Sequence, residues 1–266
     1  MNVDPYKEYL SINEPTKEEK EYAWETSIGL QKVDGLEVSE YLKDIAKKNI
    51  DGTITLNEAN ELIDSYYEEK NDDNEYEEAD KVSARIAKLL SVNSFSFSVS
   101  EYISIHEYLF KGIYKHAGVI RKNDITKKEW VLDGDTVTYG SSLNLKETIE
   151  YDFNLEKSFD YSKLSIDDRI KHLARFISNV WQVHIFSEGN TRTTAVFLIK
   201  YLRKLGFNVN NDLFKENSWY FRNALVRANY NNYEKNISET TIYLELFLRN
   251  LLLKENNELK NRYLHI

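Results

Sequence analysis

The decisive stretch is His184-Ile185-Phe186-Ser187-Glu188-Gly189-Asn190-Thr191-Arg192, set between two strongly patterned segments. Upstream, from Ser165, the residues Ile170, Leu173, Ala174, Ile177, Val180 and Trp181 form an apolar stripe at helical spacing. Downstream of Asn190, Ala195, Val196, Phe197, Ile199, Leu202 and Leu205 form another. His184 falls in phase with the first stripe, so Phe186 can anchor the connection in the core while the imidazole sits at the helix end. Gly189 and Asn190 accept tight-turn conformations that aim successive backbone amides at one point, and the helix beginning there adds its positive end. That is an anion cradle. Arg192 carries the wrong charge for the first turn of a helix, which an anionic ligand would explain. A carboxylate beside a phosphate nest, Glu188, can hold Mg²⁺ together with phosphate oxygens. His184, titrating near neutrality, can serve as general base toward a hydroxyl. Singly, each of these residues has a commonplace explanation as a cap, a turn or a solubilising charge. Their combination between two such helices points to phosphate handling.

Outward from this stretch the chain reads as helical, because proline occurs only at Pro5 and Pro15 and glycine nine times in 266 residues. Toward the N-terminus one helix runs from Pro15 to near Gly35. Ser39 caps a second that Gly52 ends, and Thr55 with Glu58 forms a capping box opening Leu56 to Tyr66. The acidic run Glu68 to Glu78 reads as an exposed connection. These signals predict an all-α protein with a small helical subdomain over 1–70, a linker at 71–78 and a main domain over 79–266. Ala79 to Leu90, Val99 to Tyr114, Ser218 to Tyr230 and Ser238 to Leu253 are predicted helices, and the polar tail after Lys254 is expected to fray. The exception to the helical period is Trp130 to Tyr139, where Asp133-Gly134 between short apolar runs predicts a β-hairpin.

Composition narrows the function. With 35 Lys and Arg against 44 Asp and Glu, the net charge is −9 and the pI near 5.2. This argues against general affinity for nucleic acid or anionic membranes. The chain has no cysteine, which removes disulfides, thiolate nucleophiles and Cys-ligated metal sites. No export signal or membrane span is legible, so the expected location is cytoplasmic.

The nine-residue stretch resembles, position by position, the signature of the Fic or Fido family, His-x-Phe-x-(Asp/Glu)-Gly-Asn-x-Arg. The likeness extends over about residues 80 to 250. His106 to Tyr114 with Ala117-Gly118 and Arg121 looks like the helix and turn leading to that family's flap, and Trp130 to Tyr139 looks like the flap. The resemblance implies a helical bundle with a short hairpin flap, and a protein adenylyltransferase (AMPylase) that moves AMP from ATP to a protein hydroxyl. It implies His184 as catalytic base, Glu188 as the Mg²⁺ ligand, and Phe186, Gly189, Asn190, Thr191 and Arg192 as the nucleotide-binding residues, with Arg192 on the β-phosphate. ATP and Mg²⁺ are the implied substrate and cofactor. The implied partner is a target protein docked on the flap as an added strand. Homo-oligomerisation is left open.

Two departures temper the analogy. Ile185 replaces the family's usual proline, and Ala195 stands where AMP-transferring members usually carry a second arginine for the γ-phosphate. Slow transfer, a different phosphate-containing donor and nucleotide binding without catalysis therefore stay open as alternatives. Gly35-Leu36-Glu37 and Asp51 to Thr55 resemble small antitoxin modules of the VbhA type. Those modules act through Ser/Thr-x-x-x-Glu-Gly/Asn, but here Asp34 or Gln31 falls at the glutamate position, depending on whether the alignment starts from Gly35 or Ser27. The inhibitory salt bridge is expected to be absent. A histidine-and-carboxylate metallohydrolase is the weakest reading, since His106, His116, His172 and His265 are scattered.

Overall fold

The computed structural model describes residues 14–69 and 75–266, within which ten α-helices account for the regular structure. The opening of the predicted N-terminal subdomain and the first half of the predicted 71–78 linker lie outside the described residues. Two compact units are present, one formed by 1–94 with 210–215, the other by 95–209 with 216–266.

The first unit contains α1 (Lys17–Gln31), α2 (Glu40–Ile50), α3 (Leu56–Glu69) and α4 (Glu77–Ser91). Thr16 and Glu19 form a reciprocal capping box on α1, and Thr55 and Glu58 form another at α3. The predicted cap at Ser39 is made, its hydroxyl accepting from the Leu42 amide. Helix α4 packs on α1 and α3, burying Ala79, Val82, Ala84, Ile86, Ala87 and Leu90. The division of the chain therefore falls at 94, after α4, and not at the acidic run. Polarity made 68–78 look like a domain joint, but the apolar face of α4 belongs to the first core. Within α1, Ser27 and Gln31 are buried and the Gln31 amide donates to the Ser27 carbonyl, whereas Asp34 is exposed in a 3₁₀ turn.

The second unit contains α5 (Val99–Phe110), α6 (Leu145–Ser158), α7 (Ile166–Val183), α8 (Asn190–Lys204), most of α9 (Leu213–Arg227) and α10 (Ile242–Leu253). Helix α8 packs against α5 and α7, and α7 also against α6 and α10. Every residue of α8 from Asn190 to Leu202 is buried. This helix is the axis of the unit, and Phe97, Tyr102, Phe153, Phe176, Phe197 and Tyr201 pack their rings together around it. Helix α9 has non-helical backbone at Asn217, so the predicted start at Ser218 corresponds to the part beyond this kink.

The predicted hairpin is corrected. Among the described residues no strand is formed from Trp130 to Tyr139; Trp130–Leu132 is a 3₁₀ turn with Val131 and Leu132 buried. The Asp-Gly turn itself is present, with φ of 54° at Asp133 and 85° at Gly134 and the Asp135 amide bonded to the Leu132 carbonyl. Side chains displace the ladder. Buried Glu129 accepts from Tyr139 Oη at 3.0 Å and from Arg222 Nη2 at 2.9 and 2.7 Å, while Asp135 accepts from Tyr230 Oη. The tail does not fray as expected. Asn250 and Asn257 hydrogen-bond each other, and the Ile266 amide donates to the Val131 carbonyl.

Candidate active site

Helix α7 ends at His184, which takes the left-handed conformation with φ 50° and ψ 57°. That conformation is costly for a residue with a Cβ, by about 1–2 kcal/mol. Arg121 holds it. The guanidinium donates to the carbonyls of His184 (2.7 Å), Asn123 (2.7 Å) and Gly140 (2.5 Å), and the Arg121 amide to the Ile185 carbonyl. Spacing gave no hint of this clamp.

Next come Ile185 and Phe186, both fully buried. The Phe186 ring stacks on His106 at 3.6 Å and 10°, so it is an anchor, as the helical phase predicted, and not a face of a nucleotide pocket. Asn190 closes the loop beneath it, its Oδ1 accepting from the Phe186 amide and its Nδ2 donating to the Phe186 carbonyl. The Thr191 hydroxyl accepts from Trp181 Nε1. The side chains of Phe186, Asn190 and Thr191 thus shape the loop, leaving backbone as what they can offer a ligand.

Gly189 is the N-cap of α8 at φ 73°, and that helix has no side-chain cap and no acid in its first turn. By contrast α1, α2, α5 and α7 are capped by Thr16, Ser39, Ser98 and Ser165. An N-terminus without cap or acid keeps its positive end for an external anion. Arg192 is buried, its Nη2 donating to Tyr114 Oη at 3.2 Å and its guanidinium lying 4.8 Å from the Phe110 ring centre. Phe110 at the end of α5 and Tyr114 just after it thereby set the direction of this cation.

His184 is 2 % exposed. Its Nδ1 lies 3.1 Å from the Trp181 carbonyl, which can only accept, so the ring proton sits on Nδ1 and Nε2 is the basic nitrogen. Burial holds its pKa well below the ordinary value, and the charges of Lys127, Arg222 and Arg121 act in the same direction, against the Trp181 hydrogen bond. Tyr139 and Trp181 pack against the ring at 4.3 and 5.2 Å. The imidazole is therefore neutral and held in one orientation.

Glu188 is exposed and forms an ion pair with Lys127 at 2.9 Å. Among the described residues no group of three or more His, Asp or Glu side chains could hold a metal by itself. The donor set fits Mg²⁺ in one way: a single hard carboxylate next to an anion cradle, with phosphate oxygens completing the shell. Sequence reasoning missed His106 as part of the site. It accepts from the Gly118 amide at Nδ1 and donates to the Glu188 carbonyl through Nε2, joining α5 to the loop. In the aromatic segment Trp219 to Asn223, Tyr220 and Phe221 are buried, and Arg222 serves Glu129.

The second unit thus holds a buried, oriented histidine at the end of α7 and an N-terminus of α8 without side-chain cap or acid behind a glycine turn. Residues 96–202 match the model of the Fic/DOC family. Members of that family are commonly transferases. Comparison with curated proteins gives no match. No helix among the described residues is long and apolar enough to cross a membrane.

Proposed function

We propose that this domain is a protein adenylyltransferase, transferring AMP from ATP to a hydroxyl side chain of a target protein. The observation that carries the reading is the Nδ1 bond of His184 to Trp181, which leaves Nε2 as the basic nitrogen a short loop before the uncapped N-terminus of α8. In this reaction the target oxygen bonds to the α-phosphorus, its proton passes to His184 Nε2, and the bridge to the β-phosphate breaks to release pyrophosphate. The backbone amides of the α8 first turn and Arg192 hold phosphate oxygens and stabilise charge as it develops. Mg²⁺, when bound through Glu188 and phosphate, supplies further charge neutralisation. The target docks beside the segment Trp130 to Tyr139, whose turn is locked by Glu129 and Asp135.

Ala195, fully buried and uncharged, favours a second reading: a nucleotide-binding regulator, or a transferase of another phosphate-containing group. Incubation with Mg²⁺ and ATP labelled at either the α- or the γ-phosphate separates them. Covalent retention of α-label alone, lost in His184→Ala, is the expected result. Retention of γ-label indicates phosphate transfer, and binding without retention of either label indicates the regulator.

A further inference from the structure

Three cations act on the His184 imidazole: Lys127, Arg222 and Arg121. Two of them hold the structure. Arg121 is spread over backbone carbonyls, and Arg222 grips Glu129 with two bonds. Lys127 differs. Its ammonium rests on the exposed Glu188 carboxylate, with the two side chains 24 % and 54 % exposed. An ion pair this open to solvent contributes about 0–1 kcal/mol, so the lysine can be recruited elsewhere at little cost. Glu188 directly precedes Gly189, the N-cap of α8, so the ion pair holds the ammonium at the N-terminal end of that helix.

The helix axis, meanwhile, lacks a charge. Position 195 is a buried alanine, so after Arg192 the first turns of α8 present no second cation to a phosphate chain. Resting on the transferase reading, we infer that Lys127 is a phosphate-binding residue that supplies this second positive charge. Its ammonium leaves Glu188 once that carboxylate is engaged by a divalent cation, and turns onto the phosphate next to His184. A flexible stem carrying a compact, strongly hydrated charge suits such an exchange of anionic partners. The contact selects for a phosphorylated donor through charge and is indifferent to the base.

The test is calorimetric titration of wild type, Lys127→Ala and Lys127→Arg with a non-hydrolysable ATP analogue in Mg²⁺, and with adenosine as the uncharged probe. Lys127→Ala is expected to weaken analogue binding about tenfold or more, as loss of a charge-assisted hydrogen bond does. Lys127→Arg should lose less, and adenosine affinity should not change. Analogue affinity within twofold of wild type in Lys127→Ala overturns the inference. A parallel loss of adenosine binding and of melting temperature also overturns it, by marking a structural role. If the wild type binds no nucleotide, the transferase reading falls with it. If it binds and transfers while Lys127→Ala binds equally well, the role of Lys127 alone falls.

Discussion

Gly189 and Phe110 meet so closely that no side chain fits between them: a Cβ on Gly189 would lie 2.4 Å from both Cε2 and Cζ of the Phe110 ring. The glycine also sits at φ 73°, where a Cβ is disfavoured on its own account. Gly189→Ala is therefore expected to cost about 2 kcal/mol or more in urea denaturation and to abolish nucleotide binding, because the turn aims the first amides of α8. Adding Phe110→Leu should recover the steric part but not the backbone part. Full recovery in the double variant would show that φ at this position carries no strain.

His106 makes the fold sensitive to acid. Its Nδ1 accepts the Gly118 amide at 2.9 Å, and its burial, with the charges of His116 and Arg192, pushes its pKa down to about 4. Protonation would remove that acceptor. Below pH 6.5 the unfolded chain takes up a proton at this position that the folded chain refuses until about pH 4, so stability falls as pH is lowered through this window. Between pH 7 and pH 5 the loss from His106 is about 2 kcal/mol. Urea midpoints measured across this range should drop, and His106→Asn should be less stable at pH 7 but flatter in its pH dependence. An unchanged slope would exclude His106 as the source.

The depressed pKa of His184 predicts the acid limb of transfer. A base held neutral well below pH 6.5 keeps the rate level from pH 8 to 6.5, and the rate falls only at lower pH. Removing the Lys127 charge relieves part of the depression, so in Lys127→Ala the acid limb should move to higher pH. A limb that stays at 6.5 or above in the wild type would contradict the dry, cation-lined setting of the ring.

Much of the site was legible because it is local. The phase of His184 with Ile170, Leu173, Ile177 and Val180 fixed the end of α7, and Gly189 fixed the turn into α8. What escaped reading was assembled from distant parts of the chain. Arg121 reaches carbonyls about sixty residues away, and His106 joins a loop eighty-two residues downstream. The hairpin expectation failed for a related reason. Asp133-Gly134 does make its turn, but the flanking Glu129 and Asp135 find Arg222 of α9 and Tyr230 just beyond that helix, and those long-range bonds replace a strand ladder.

That replacement makes Glu129 and Arg222 a further point of test. The carboxylate is 1 % exposed in its side chain and accepts two bonds from Arg222 Nη2 and one from Tyr139. Glu129→Ala leaves a guanidinium in a site only 12 % exposed, which should cost about 3 kcal/mol or more. Glu129→Gln should cost less, because it retains an acceptor for Tyr139. The double variant Glu129→Ala/Arg222→Ala should be less destabilised than the sum of the singles. Additivity in that cycle would mean that the pair does not act as a unit.

The N-terminal unit invites a deletion experiment, and the packing of α4 dictates how to read it. Removing residues 1–70 takes away α1 and α3, against which α4 buries Val82, Ile86 and Leu90, and strips Asp80 of its bonds from Ser39 and Tyr67. The expected result is lower soluble yield and a lower melting temperature, because the deletion uncovers a core. Point substitution is the cleaner probe of inhibition. Asp34 is exposed in its 3₁₀ turn, and its carboxylate is one methylene shorter than the glutamate it would replace. Asp34→Ala should therefore change self-labelling by ATP less than twofold while leaving the melting temperature in place. A gain of tenfold or more in that variant would show that an acidic group of this unit restrains the site, and the expectation of a lost inhibitory bridge would be wrong.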